Sequence, residues 1–464
     1  MGSTLSRSDT AVGDEDYLAF HGTLIHSRTS IEVEILGNTL IIVSAMGKII
    51  SIQKDTPLTN LPTLLASYKL TPSSTRVTIL PRGQFLVPGF VDTHNHAPQW
   101  SQRGLGRGKV IMEWLNATTF PHEARFADPE YAKATYAACV DGFIEQGVTT
   151  AAYYGSLHLE ATKILLDTCI AKGQRALVGK CNMNRNAPEY YRDGSVEASL
   201  HETEEFIAYT RERDPAGELV KAIITPRFAV ACDANVLAGL GEILARNPDL
   251  PMQTHFNETI QEMEITKELF PEFNSEADLY QHFGLLGKNS ILAHCIYMDE
   301  YDMGRLQELE CGVAHCPVSN TTSGNFGTAP VREYLRRGIK VGLGTDSGGG
   351  YSSSILDAMR QAFVVSKAVE NTSGGKDRSL SINEMFYLAT LGGAKVCGMD
   401  EQIGTFEVGK EFDALHITTI GEGSGVITMV EDVDTIEDIF EKFVMSGDDR
   451  NIAKVYVKGK SIKR

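Results

Sequence analysis

The feature that most constrains this chain is a rhythm of eight short apolar segments separated by stretches with helical patterning. They are FLVPGFVDTH (85–94), VTTAAYY (148–154), ALVGKCNM (176–183), VKAIITPRF (220–228), LPMQTHF (250–256), SILAHC (290–295), GVAHC (312–316) and KVGLGTDS (340–347). Short apolar runs alternating with helices mark parallel strands joined by crossover helices, and eight repeats favour a closed barrel over an open sheet. In such a barrel the loops that follow the strands gather at one rim, where barrel active sites sit.

The ends of the chain read differently. LAFHGTLIHS and TLIIVSAMGKIISIQ near the start, and FDALHITTI and NIAKVYVKGKSIKR near the finish, are β-like stretches punctuated by the turn residues Gly47 and Gly459. At 464 residues the chain suits a barrel plus a smaller companion. The expected fold is α/β: a (β/α)8 barrel at 88–404, beside a small β-sandwich shared by residues 1–87 and 405–464.

Polar residues at the ends of the strands point to chemistry. His94, His96, His255, His294, His315 and Asp346 all fall at C-terminal strand ends. His94 and His96 stand two apart on a strand, so both side chains face the same way and can grip one metal ion. His255 and Asp346 complete a ligand set of the size an open catalytic site needs. Each residue alone has a plainer reading: a hydrogen-bonded core histidine, or for Asp346 a turn residue or helix N-cap. Their joint placement favours the metal. Glu258, three residues after His255, suits a proton shuttle, with a first-turn helix carboxylate as the alternative. His294 suits a hydrogen bond to the attacking water, or a structural role.

One class of zinc deaminases carries HxE followed by PCxxC. His158-Leu159-Glu160 matches the first half, but no PCxxC follows. Bimetallic barrels of this kind often use a bridging lysine at strand four. Here that strand ends TPRF, which argues for one metal.

A formal net charge of −17 opposes binding to nucleic acid or an anionic bilayer, since like charges repel, and points to a small neutral substrate. The eight cysteines include no close pairs and read as free thiols of a reducing compartment, so the expected location is cytoplasmic. No apolar run reaches the length of a membrane span, and the start of the chain lacks the apolar core of a signal peptide. Met1-Gly2 followed by Ser6 fits an N-myristoylation pattern, without a polybasic second signal.

Through PGFVDTHNHAPQWSQRG (88–104), THFNE, LAHC, AHCPVSN and GLGTDSGGGYS, most of the chain resembles the amidohydrolase superfamily. HAPQ (96–99), EWL near 113, TFP before Glu123, TPRF (225–228), LATLGGAK and IGTFEVGKEFDA make it similar to the guanine deaminase branch. That resemblance implies zinc-dependent hydrolysis of guanine to xanthine and ammonia by a homodimer. It makes His94, His96, His255 and Asp346 the ligands of one Zn2+, Glu258 the proton shuttle, and His294 and Asp346 the groups that polarise the water. Gln99, Arg227 and Phe228 would hold the purine, beside His96, His255, Glu258 and Asp346. Read without the resemblance, Gln99, Arg227 and Phe228 are equally a loop amide, a surface arginine and a core aromatic. Trp100 departs from the smaller aromatic the resemblance implies, and is expected to alter the pocket shape. Another ring, such as an oxidised guanine, a pterin or a triazine, is the nearest alternative substrate. A metal-free scaffold is the alternative outside enzymes, and the complete ligand set opposes it.

Overall fold

The computed structural model describes residues 17–70, 75–322, 327–419 and 428–463; the Met1-Gly2 acylation pattern lies outside them. Five strands come first: β1 (Tyr17–Ser27), β2 (Val33–Val43), β3 (Ile49–Gln53), β4 (Thr75–Ile79) and β5 (Gln84–Pro88). Only Gly89 separates β5 from β6 (Phe90–His96), where the barrel begins.

The barrel continues through β7 (Val148–Tyr154), β8 (Arg175–Gly179), β9 (Cys181–Asn182), β10 (Val220–Ala222) and β11 (Thr225–Pro226). It ends with β12 (Met252–Phe256), β13 (Ser290–His294), β14 (Gly312–His315) and β15 (Lys340–Leu343). All its ladders are parallel, in two runs ordered β6-β7-β8-β10 and β12-β13-β14-β15. The runs join where Ile224 N–H donates to Pro251 O and Gln253 N–H donates to Ile224 O, both at 2.9 Å. The other seam closes where Asp346 N–H donates to His94 O at 2.9 Å and Thr93 Oγ1 donates to Leu343 O at 2.9 Å. The result is the expected (β/α)8 barrel.

The third and fourth strands are each broken in two, β8/β9 and β10/β11. Gly179 explains part of this: a Cβ there would stand 1.9 Å from Thr225 Oγ1, so the neighbouring strand approaches too closely for any side chain. Strand residues Val91, Ala152, Leu177, Ile291, Ala293 and Ala314 pack into one buried cluster, while Val148, Ala151, Val178, Leu292 and Val313 pack with the surrounding helices. Alternating strand positions thus reach different sides of the wall, and apolar partners on both explain why the strands read as continuous apolar runs.

The helices start where capping residues allow. Asp128, Ser195, Asp233, Thr259, Asp299 and Ser354 each accept a hydrogen bond from a backbone N–H in the first turn of the helix that follows. The helices Leu159–Lys172 and Val331–Arg337 stop at Gly173 and Gly338, both left-handed.

The ends of the chain share one eight-stranded sheet, in which β16 (Ala414–Thr418), β17 (Ile452–Val457) and β18 (Lys460–Ser461) follow on from β5. The sheet curls over itself. Phe20 of β1 stacks on Phe412 with ring centroids 5.2 Å apart and meets the edge of Tyr456 of β17 at 5.5 Å, although those strands are not neighbours in the sheet. Leu18, Leu24, Ile41, Val43, Leu86 and Ala414 fill the space between the facing layers, as the β-sandwich reading expects.

The acidic stretch 431–441 runs into the helix Ile436–Ser446, which buries Ile439, Phe440, Phe443 and Val444. Its aromatic rings meet Phe85 and Phe386, so the acids face outward. All eight cysteines are free and buried. No helix among the described residues is long and apolar enough to cross a membrane.

Candidate metal centre and ring pocket

Strand geometry delivers the first two candidate ligands, since the fully buried β6 carries His94 and His96 on one side. His255 comes from the C-terminal end of β12, one residue before its last, and Asp346 from just beyond β15. One donor atom from each of the four lies within 4.8 Å of all the others, and the whole group is buried. His94 Nε2 is 3.1 Å and His96 Nε2 is 3.5 Å from Asp346 Oδ1, while His96 Nε2 and His255 Nε2 face each other at 3.0 Å.

Second contacts set the chemical state of these donors. His255 Nδ1 is 2.6 Å from the carbonyl oxygen of Arg227. A carbonyl only accepts, so Nδ1 carries the proton and Nε2 keeps its lone pair, the usual arrangement for a metal-bound imidazole. Burial pushes all three histidines below their ordinary pKa and keeps them neutral. Asp346 goes the other way: burial opposes its charge, but the hydrogen bond from His94 and the field of His294 outweigh it. Three neutral imidazoles and one carboxylate, converging on a common point, fit zinc or a similar borderline divalent cation better than an ion that prefers oxygen.

Asp346 does not cap the short helix that follows, so the N-cap alternative does not hold. Its left-handed backbone, φ 54°, turns the chain so that the carboxylate points back at the histidines. Asp92 supports that turn by accepting from the backbone N–H of Thr345 at 3.1 Å, from Thr345 Oγ1 at 2.6 Å and from the N–H of His94 at 3.2 Å.

Glu258 lies in the same pocket. It sits before the capped helix Ile260–Leu269, whose first-turn acid is Glu262, so the alternative of a first-turn helix carboxylate does not hold. Its backbone N–H donates to Glu262 Oε2 at 2.8 Å, and its Oε2 lies 3.8 Å from His294 Nε2. Burial raises the Glu258 carboxyl above its ordinary pKa. His294 donates through Nδ1 to Asn320 Oδ1 at 2.8 Å, which leaves a buried Nε2 with no hydrogen-bond partner among the described residues. Burial lowers the pKa of His294, but the charges of Glu258 and Asp346 outweigh this and hold it raised.

The pocket over these groups is lined by His96, Gln99, Arg227, Phe228, His255, Glu258 and Asp346, with Ile111, Trp114 and Leu115 closing the apolar side. Every residue the sequence analysis selected for ring contact is therefore there. Arg227 and Phe228 follow directly on β11, and Gln99 lies on the 3-10 turn Ala97–Gln102 after β6.

Sequence reasoning gave no role to Glu123, which is 1% exposed. Arg227 Nη1 donates to its Oε2 at 2.7 Å and Nη2 donates to its Oε1 at 3.1 Å, while Gln99 Nε2 donates to Oε1 at 2.8 Å. Burial works against the charge on Arg227, but Glu123 outweighs that and holds the guanidinium strongly protonated. The only signal available was TFP before Glu123, a motif without a role attached.

Other candidates fall outside the pocket. Trp100 turns away from it, packing on Phe143 at 5.3 Å beneath the guanidinium of Arg103, so it does not shape the pocket as expected. His315 is buried but is not one of the four converging donors. His158, half-buried against Tyr191, precedes the helix Leu159–Lys172 and Glu160 pairs with Lys163, so the HxE match belongs to a helix start outside the four converging donors. Among the described residues, one group of four donors converges in this way.

Residues 85–462 match the amidohydrolase family model. The chain belongs to the amidohydrolase family, and it is a hydrolase acting on C–N bonds. Within that family the similarity is to guanine deaminases. The guanine deaminase of Dictyostelium discoideum is 37% identical over 449 residues, covering 96% of this chain and 98% of that protein. The human guanine deaminase is 37% identical over 447 residues, covering 96% of each. A crystal structure of guanine deaminase from C. acetobutylicum, with guanine bound in its active site, superposes with a TM-score of 0.85 at 34% identity, covering 96% of this chain and 99% of that one.

Proposed function

We propose that this chain is a zinc-dependent guanine deaminase that hydrolyses guanine to xanthine and ammonia, a reaction of purine catabolism and salvage. The observation that carries the reading is the continuity between the ring clamp and the four converging donors: Arg227 offers its guanidinium to the pocket while its carbonyl holds His255. Similarity to guanine deaminases over nearly the whole chain supports it.

On this reading His94, His96, His255 and Asp346 hold one Zn2+. When bound there, the ion lowers the pKa of water toward neutrality and so supplies the nucleophile at working pH. Arg227 donates to the ring carbonyl, Gln99 meets the adjacent amide-like N–H, and Phe228 packs on the flat face. Water adds at the amine-bearing carbon, C2. Glu258 takes one proton from it and passes that proton to the neighbouring ring nitrogen; it then carries the second proton from the hydroxyl now on C2 to the amine, which leaves as ammonia as C2 becomes a carbonyl. Asp346 and the free Nε2 of His294 orient the water. Trp114, Leu115 and Ile111 keep bulk solvent from the reacting atoms.

The proposal also takes 1–87 and 405–464 as one sandwich domain, 88–404 as the catalytic barrel, and the working enzyme as a cytoplasmic homodimer. The direct experiment is to follow ammonia release by zinc-loaded protein from guanine and from a panel of pterins, triazines and oxidised purines. Preferred turnover of guanine supports the reading. Turnover confined to another ring reassigns Gln99, Arg227 and Phe228.

A further inference from the structure

We propose that Glu123 is a positioning residue that sets the ring specificity of this pocket, by fixing Gln99 so that it can only accept a hydrogen bond from the ligand. The proposal rests on the guanine reading and deepens it.

The argument is one of donors and acceptors. A carboxylate whose two oxygens both face a guanidinium accepts from it, and Glu123 makes that bidentate pair with Arg227. The atom of Gln99 that faces it at 2.8 Å must therefore be the amide nitrogen. With Nε2 so committed, Oε1 is the one polar group Gln99 has left for a ligand. It is buried beside Gly348, on a residue that lines the ring pocket, and has no partner among the described residues. A buried acceptor left without a donor is costly, so a ligand that supplies an N–H there is favoured, and one that presents a lone pair is doubly penalised.

The same carboxylate aims the guanidinium of Arg227. Glu123 thus imposes a paired code: a ring acceptor toward Arg227 and a ring N–H toward Gln99. The O6/N1–H edge of guanine satisfies both. 2-Aminopurine keeps the amine to be released, but carries a lone pair at N1 and no oxygen at C6. Sites built to hydrogen-bond a substrate group reject analogues lacking it by large factors.

Glu123→Gln breaks the code without removing bulk. Its amide can either donate or accept, so Gln99 is free to turn and offer its nitrogen to N1 of 2-aminopurine. 2-Aminopurine lacks the oxygen contact to Arg227 in both proteins, so the change in discrimination reports on the paired code that Glu123 imposes on Gln99 and Arg227 together. The experiment measures kcat/KM for guanine and 2-aminopurine with zinc-loaded wild type, Glu123→Gln and Glu123→Asp, alongside zinc content and Tm. The wild type is expected to prefer guanine by at least ~100-fold. That preference is expected to fall at least ~10-fold in Glu123→Gln and to persist in Glu123→Asp, which keeps an accepting carboxylate.

A merely structural role would lower both kcat/KM values by the same factor and leave the ratio unchanged, and that result overturns the proposal. If Glu123→Gln does not fold, the unmodified enzyme still decides: equal turnover of the two rings overturns the code. Should the natural ring prove different, guanine turnover fails outright. The same ratio is then read with that ring and its analogue lacking the N–H opposite Gln99.

Discussion

His255 and Arg227 are joined by a 2.6 Å hydrogen bond from the imidazole Nδ1 of one to the backbone carbonyl of the other. Through it, the residue at the end of the broken fourth strand serves two ends of the pocket, with its side chain turned to the ring clamp and its main chain to the metal donors. The close spacing of these groups follows from adjacent barrel strands, and it makes several consequences measurable.

Removing the metal should abolish activity and loosen the fold together. On the proposed reading, three neutral imidazoles and a carboxylate hold the ion in the folded state and are dispersed in the unfolded chain. Metal at a hundredfold excess over Kd stabilises a fold by about 2.7 kcal/mol. Dialysis against a chelator is expected to reduce ammonia release to background and lower Tm, with both restored by zinc and not by magnesium. Full activity in metal-free protein would contradict the assignment.

Arg175 should matter to stability and not to chemistry. It is 1% exposed on β8, and its guanidinium pairs with Glu411 at 2.6 Å and Asp413 at 2.9 Å, fastening the barrel to the segment that leads into β16. Arg175→Met leaves the buried Asp413 without its cation and Glu411 with Lys48 alone, and breaking a buried pair in this way costs about 3–5 kcal/mol. Denaturant unfolding should show that loss, with kcat per folded molecule close to that of the wild type.

Acid should weaken the sandwich through His26. Its Nδ1 accepts from the backbone N–H of Phe406 at 3.3 Å, which a protonated ring cannot do. Burial is the largest influence on the ring and outweighs the attraction of Glu34, setting His26 down from 6.5 to about 4. The neutral form is favoured in the fold, so this stability is complete above pH 6.5 and is lost as pH falls from there to about 4. The loss is on the order of 2–3 kcal/mol. Urea midpoints at pH 7.5 and 4.5 should converge in His26→Asn relative to the wild type.

The four converging donors were legible in the sequence because strand periodicity and strand ends determine where such side chains go. HNH at 94–96 puts two rings on one side by the alternation of the strand, and THF and GTDS end their own strands. The apolar runs of the barrel were legible for the same reason, since strands covered on both faces tolerate few polar residues. The clamp was only partly so. Glu123 meets Gln99 across 24 residues and Arg227 across 104, through a loop-borne helical segment with no periodic pattern to place it. The outward turn of Trp100 is likewise set by contacts, here with Phe143 on the helix Pro129–Glu145, and not by its position beside Gln99. The breaks at β8/β9 and β10/β11 depend on the close approach of Thr225 to Gly179, which no local signal encodes.

The central claim is tested most directly at Glu258, the carboxylate proposed to move the proton. Glu258→Gln keeps the shape of the side chain next to His294 Nε2, 3.8 Å away, and leaves the four converging donors untouched. The wild type is expected to convert guanine to xanthine and ammonia in equal amounts. Glu258→Gln should retain the metal and bind guanine while kcat falls by about 10²–10⁴-fold. Turnover of guanine that survives in Glu258→Gln, or wild-type protein that holds zinc yet releases no ammonia from guanine, would contradict the account.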